Sequence, residues 1–205
     1  MLTLKKKFNV VATELQIKEA AKRIFFGKGH FNAKMHEIAK EAKINRALLH
    51  YYFRDRSNLF EIVLKEALDE SFIRMFAILA TTKPFEVKIR EAVHQIVDCL
   101  AEYPFIENFI ISEMNRNPAS DLTRSTIRDG RAFTRKFLVE IKAYISQNRL
   151  PHIRPEHFMV NMMSLCAYAS STKPIVQNIL GFGEKEYKKF LLERKKMITA
   201  MVLMK

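Results

Sequence analysis

The chain has 205 residues, 48% of them apolar, with only 5 glycines and 6 prolines; sheet-rich folds need many tight turns, so this composition argues for long helices with few connections. The net charge of +13 is weighted to the front, where residues 1–60 carry 13 Lys and Arg against 5 Asp and Glu (+8), leaving 22 against 17 (+5) for the rest. Such a basic N-terminus suits a polyanion, either nucleic acid or an anionic membrane surface, and no stretch approaches the roughly 18 apolar residues of a membrane span.

The spacing of Leu15, Ile17, Ala20, Ala21, Ile24 and Phe25 predicts a first helix from about Val11 to Lys28, with Gly29 as its C-cap. A short second helix from Met35 to Ala42 places Met35, Ile38, Ala39 and Ala42 on one face. Lys43, Ile44 and Asn45 then turn the chain into a third short helix, Arg46 to Tyr52. Asp55 caps a long fourth helix that reaches about Ala80. Pro84 and Pro104 suit the first turns of a fifth and a sixth helix. Asn115-Arg116-Asn117-Pro118 is a break, and a seventh helix covers Asp121 to Gln147. A two-proline linker over residues 148–155 leads to an eighth helix, Glu156 to Ser171, interrupted before Pro174. Gly181 and Gly183 separate it from a ninth, Glu184 to Met204. The expected fold is all-α with about nine helices.

Two short helices joined by a tight turn can lay the second of them in the DNA major groove. Here Ile38, Ala39, Ile44 and Leu49 would form the small core of the pair. Arg46, Ala47, Leu48, His50 and Tyr52 would face outward. Arginine pairs bidentately with guanine, and Leu or Ala meets a thymine methyl. Arg54 and Arg56 flank the next helix start, where backbone N–H groups also attract phosphate. The same residues would also serve as the plain surface of a three-helix bundle.

Over residues 13–60, Ile17, Ala20, Ala21, Phe25, Gly29, Ile38, Ala39, Ala42, Ile44, Leu49, Tyr51, Tyr52, Phe53, Arg56, Leu59 and Phe60 form one continuous pattern. It resembles the DNA-binding region of the tetracycline-repressor (TetR) family. The resemblance implies DNA contacts at His36, Arg46, Ala47, Leu48, His50, Tyr52 and Arg56, with Tyr51 at an aromatic position that packs or touches phosphate. It departs from the family at Ala33 and Lys34, where Thr or Ser usually caps the second helix and touches phosphate. Lys34 cannot accept a capping hydrogen bond but can reach a phosphate, and Asn32 or Glu37 is left to cap. Leu48 stands where a small polar residue is common.

The resemblance further implies a helix-turn-helix domain over residues 1–56 and a helical ligand-sensing and dimerisation domain over 57–205. Dimers would form through the last two long helices, using Phe158, Met162 and Leu165 on one and Phe190, Met197 and Met201 on the other. A pocket among helices four to eight would be lined by Phe72, Met75, Phe76, His94, Phe105, Phe109, Met114 and Tyr168. Every one of these apolar residues is equally at home in a dry core. The implied protein is a homodimeric repressor that binds a palindromic operator and is released by a small apolar or amphipathic ligand. A DNA-binding regulator that answers to a protein instead is the alternative.

A helical metalloenzyme is the third reading, because Glu91-Ala92-Val93-His94 has the Glu-x-x-His pattern of di-iron bundles. Such a site needs a second copy and two more glutamates on facing helices, and no second copy is present in the sequence. Neither zinc-ligand spacing, a glycine-rich phosphate loop nor a nucleophile elbow around Ser112, Ser164 or Ser170 occurs. Neither enzymatic activity nor a metal or other cofactor is therefore expected. Cys99 and Cys166 sit in apolar helical stretches and read as buried thiols of a reducing compartment. Lys5, Lys6 and Lys7 read as a solvated arm, no signal-peptide pattern follows them, and the expected location is the cytoplasm.

Overall fold

The helical patterning is realised as ten α-helices and one π-helical turn in a computed structural model, which describes residues 2–30 and 32–204, less the side chains of residues 2–10 and of Phe72. The helices are α1 (Leu2–Lys22), α2 (Met35–Glu41), α3 (Arg46–Tyr52), α4 (Arg56–Leu79), α5 (Phe85–Glu102), α6 (Ile106–Arg116), α7 (Asp121–Ser146), α8 (Pro155–Ser171), α9 (Lys173–Leu180) and α10 (Glu184–Leu203). No strand occurs among the described residues. No helix among them is long and apolar enough to cross a membrane.

Two elements differ from the expectation. The first helix begins at Leu2 and ends through the π-helical turn Arg23–Gly27. Gly29 then leaves at φ 68°, its N–H bonded to the Phe25 carbonyl and that of His30 to the Ile24 carbonyl. Only a residue without Cβ takes that left-handed conformation without strain. The second difference is α9. Pro174 lies in the first turn of a new helix, where its missing N–H has no partner to lose, so it starts a helix as well as ending one. Gly181, at φ 69°, closes it.

The chain divides into two units, Met1–Leu68 and Asp69–Lys205, and the division falls within α4. In the first unit Ile17, Ala20, Ala21, Phe25, Phe26, Ile38, Ala39, Leu49, Leu59, Val63 and Leu64 are buried. Phe60 meets the Phe25 ring edge-on at 5.4 Å. Alanines at positions 20, 21, 39 and 42 leave room for close helix crossing. Gln16 of α1 donates to the carbonyl of Ala42 at 2.7 Å, supplying a partner at the open end of α2. Leu15 shares the sequence period of α1 but is exposed.

The second unit is built on α5, whose Phe85, Ile89, Ala92, Val93, Ile96 and Val97 are buried. It packs mainly on α8 and α10. The Phe85 ring stacks on Tyr144 at 4.3 Å and lies 6.0 Å from Phe158. Lys88 is buried with its charge met by Glu140 at 2.8 Å and by the Leu79 carbonyl at 3.2 Å, as an interior cation requires. α10 is tied to α8 by Tyr187, which donates to the Ala169 carbonyl, and by Arg194, which donates to that of Leu165.

Candidate nucleic-acid interface

The start of α3 is set by Asn45, whose side-chain oxygen accepts the N–H of Leu48 at 2.7 Å. That cap satisfies one of the open donors of the helix end and orients the first turn. Leu49 is wholly buried and anchors the helix, which leaves Arg46, Ala47, His50 and Tyr51 exposed and Leu48 and Tyr52 half-buried. One side of α3 is thus committed to packing while the other offers a cation, a methyl, an imidazole and a phenol. The Arg46 Nε lies 3.4 Å from His50 Nε2, and His50 Nδ1 lies 3.4 Å from the Arg54 carbonyl. A neutral imidazole that carries its proton on Nδ1 serves both contacts. Tyr51 and Tyr52 meet edge-on at 5.4 Å.

Lys34 is the N-cap of α2 without a side-chain cap bond. The work falls to Glu37, which accepts the Lys34 backbone N–H at 2.7 Å. That bond holds the Glu37 carboxyl below its ordinary value. The Lys34 ammonium is left exposed beside the exposed His36. The turn between α2 and α3 contains Lys43 at φ 53°, a left-handed conformation that costs a side-chain-bearing residue energy. The Ile44 N–H closes the turn on the Ala39 carbonyl at 3.0 Å. Lys40 and Lys43 are exposed cations that the motif reading did not single out, although the charge excess of the N-terminal third includes them. Lys34, Lys40, Lys43, Arg46 and Arg54 have no ion-pair partner among the described residues, so their charge is available to an external anion. Glu41, at the end of α2, is occupied by Lys28 at 2.7 Å and Arg23 at 3.2 Å, and those two cations hold its carboxyl low.

Arg56 is placed unlike a free phosphate-reaching arm. Its Nε donates to the carbonyl of Ala33 at 2.9 Å, and its guanidinium lies over the Phe25 ring at 5.2 Å and near Phe60 at 6.0 Å. It therefore fixes the start of α4 to the loop before α2. Asp55 caps α4 by accepting the Asn58 N–H at 2.9 Å. Arg54 next to it is exposed.

The residues expected in the C-terminal unit separate into core and surface. Phe158 and Met162 are buried within the chain, at 2% and 3% exposure, while Met197 and Met201 stand out at 58% and 54%. Leu165 and Phe190 are half-buried. Val160 and Met163 are the exposed apolar residues of α8 that periodicity did not pick out. Among the pocket candidates, Phe109 is buried and Tyr168 exposed. Met75, Phe76, Phe105, Met114 and His94 are half-buried, and Phe76 meets Phe133 edge-on at 5.0 Å. Burial, helped by the Lys195 charge, lowers the His94 pKa. The Phe72 side chain and those of Lys5, Lys6 and Lys7 lie outside the described residues. Glu91 is engaged by Lys83 at 2.6 Å, and no cluster of three metal-ligating side chains occurs among the described residues.

Residues 17–63 match the family model described as bacterial regulatory proteins, tetR family. Over 54 residues the chain is 35% identical to the HTH-type transcriptional regulator HbdR of Aromatoleum sp. (strain CIB), a match covering 26% of this chain and 24% of that protein. Two solved structures share the fold along nearly the whole chain. The TetR-like regulator LfrR of Mycobacterium smegmatis, in complex with proflavine, is 17% identical with a TM-score of 0.62, over 93% of each chain. A TetR-family regulator from Streptomyces coelicolor is 18% identical with a TM-score of 0.60, over 93% of this chain and 96% of that one.

Proposed function

Because residues 17–63 match the model of the tetR family of bacterial regulatory proteins and the chain shares the fold of solved TetR-family regulators, we propose that this protein is a homodimeric repressor released from a palindromic operator by a small apolar or amphipathic ligand. The observation that carries the DNA-binding part is the asymmetry of α3. Leu49 is fully buried and Asn45 caps the helix, while Arg46, Ala47 and His50 face solvent among unpaired lysines. Phosphate contacts from Lys34, Lys40, Lys43 and Arg54 would position the helix, and Arg46 would read a base edge. In a dimer the two α3 helices would read half-sites about 34 Å apart.

The proflavine complex of LfrR supports a small-molecule effector for this fold. α4 runs unbroken from the helix-turn-helix unit into the second unit, so a ligand preferring one arrangement of α4 would favour one placement of the reading heads. Coupling of this kind is worth about 1–3 kcal/mol, and operator DNA must weaken ligand binding by the same factor.

The test is binding to an operator obtained by selection from random duplex DNA, followed by fluorescence anisotropy against salt. Arg46→Ala should cost about 1–3 kcal/mol on the selected site and relax preference at one position in each half-site. Unchanged base preference would remove Arg46 from the readout. Proflavine, titrated calorimetrically into free protein and into the operator complex, is the first effector probe. Binding with equal affinity to both would exclude it as a regulator of DNA binding.

A further inference from the structure

α7 presents Arg124, Arg128, Arg131 and Arg135 at successive steps of four, three and four residues, all exposed. At 3.6 residues per turn these steps form one stripe, about 16 Å long at ~1.5 Å per residue. Lys142, also exposed, extends it. Together with Ile127 and Ala132 the arginines line an open groove of about 470 Å³. Arg128 pairs with its chain neighbour Asp129 at 3.1 Å, whereas Arg124, Arg131 and Arg135 have no ion-pair partner among the described residues. Across the helix, Phe137 and Ile141 are buried in the core, so α7 cannot turn the stripe away from solvent. Like charges at this spacing repel, and the stripe therefore works against the helix that carries it.

We propose that this stripe is a docking face for an acidic helix of a partner protein. A helix with carboxylates at the same four-three-four spacing meets all four guanidiniums in register, because both partners have the same rise and turn. Each guanidinium matches a carboxylate bidentately. Ile127 and Val139, exposed at 43% and 70%, border the stripe, and Ala132 leaves room for a helix to approach. Those apolar edges fit an amphipathic helix and have no counterpart on a phosphate backbone. All the groove residues belong to one helix, so it lacks the second wall that would enclose a small molecule.

The probe is a fluorescent, helix-stabilised peptide with glutamates at the four-three-four spacing. Its control has the same composition with the glutamates spread around the helix. Added to the full-length protein, the striped peptide binds at least about tenfold tighter than the control. The double variant Arg128→Glu/Arg131→Glu loses that preference and gains one for the matching lysine-striped peptide. The milder Arg128→Gln/Arg131→Gln variant, with helicity checked by circular dichroism, loses the first preference without gaining the second. Equal binding of the two glutamate peptides overturns the proposal. So does non-operator duplex DNA whose binding falls in the α7 variants while the peptides ignore them, which would make the stripe a nucleic-acid surface.

Discussion

Replacing Arg56 tests whether the interface is held in shape from within. The guanidinium gives Nε to the Ala33 carbonyl at 2.9 Å and covers the Phe25 ring at 5.2 Å. A hydrogen bond from a charged donor is worth about 1.5–3 kcal/mol, and a part-exposed cation–π contact about 0.5–1. Arg56→Ala should therefore destabilise the first unit by about 2–4 kcal/mol. Arg56→Lys keeps the charge, but one ammonium cannot lie flat over Phe25 while donating in the plane to Ala33, so it should cost about 1–2 kcal/mol. Native-state amide exchange at Phe25 and Leu49, measured without DNA, reads this directly. A loss of 2 kcal/mol appears as roughly thirtyfold faster exchange. A phosphate-only role for Arg56 predicts unchanged exchange in both variants and a salt slope for DNA binding lowered by about one unit in Arg56→Ala alone. If protection in Arg56→Ala stays within about threefold of the parent, the brace does not exist.

Lys43→Gly relieves the left-handed strain at φ 53° and should raise stability by about 0.5–1 kcal/mol after the entropy cost of glycine, while weakening DNA binding at low salt. A lowered melting temperature would show that Lys43 makes a compensating contact. The Glu41 carboxyl is depressed by Lys28 and then Arg23, so its stabilisation is present above its unfolded value of about 4.5 and is lost as pH falls through the folded one. Glu41→Gln should thus be less stable than the parent at pH 6 and level with it near pH 2, and a gap that is independent of pH would refute the ion-pair origin. Met197→Asp/Met201→Asp places charges on the exposed face of α10 and should convert the proposed dimer to monomer in light scattering at micromolar concentration, with the helical content retained. A dimer that persists would move the interface elsewhere.

The turn chemistry and the apolar spacing of residues 11–60 were enough to place α2, α3, the Asp55 cap and the Gly29 exit, because each depends on a few neighbouring side chains. They also showed that Leu49 points inward and Arg46 outward, since a helix seven residues long has room for one buried face. Lys34 is legible in the sequence as a defective cap because its side chain cannot accept a hydrogen bond, and Glu37 stands three residues on, where a carboxylate can accept the Lys34 N–H. Local pattern could not separate the two apolar faces of α8. Phe158 and Met162 became core because Phe85 of α5 lies against that side, and Val160 and Met163 were left outside. The spacing of the α7 arginines is written in the sequence, but their exposure follows from Phe137 and Ile141 being drawn into the core on the other side. Arg56 carries the same lesson: residue type and position mark it as a cation at a helix start. Only the approach of the Ala33 carbonyl and the Phe25 ring, both distant in the chain, turns its charge inward. Short-range geometry determines where a helix begins and which side is greasy, while the neighbour that covers that side is chosen by contacts between segments, which no local pattern encodes.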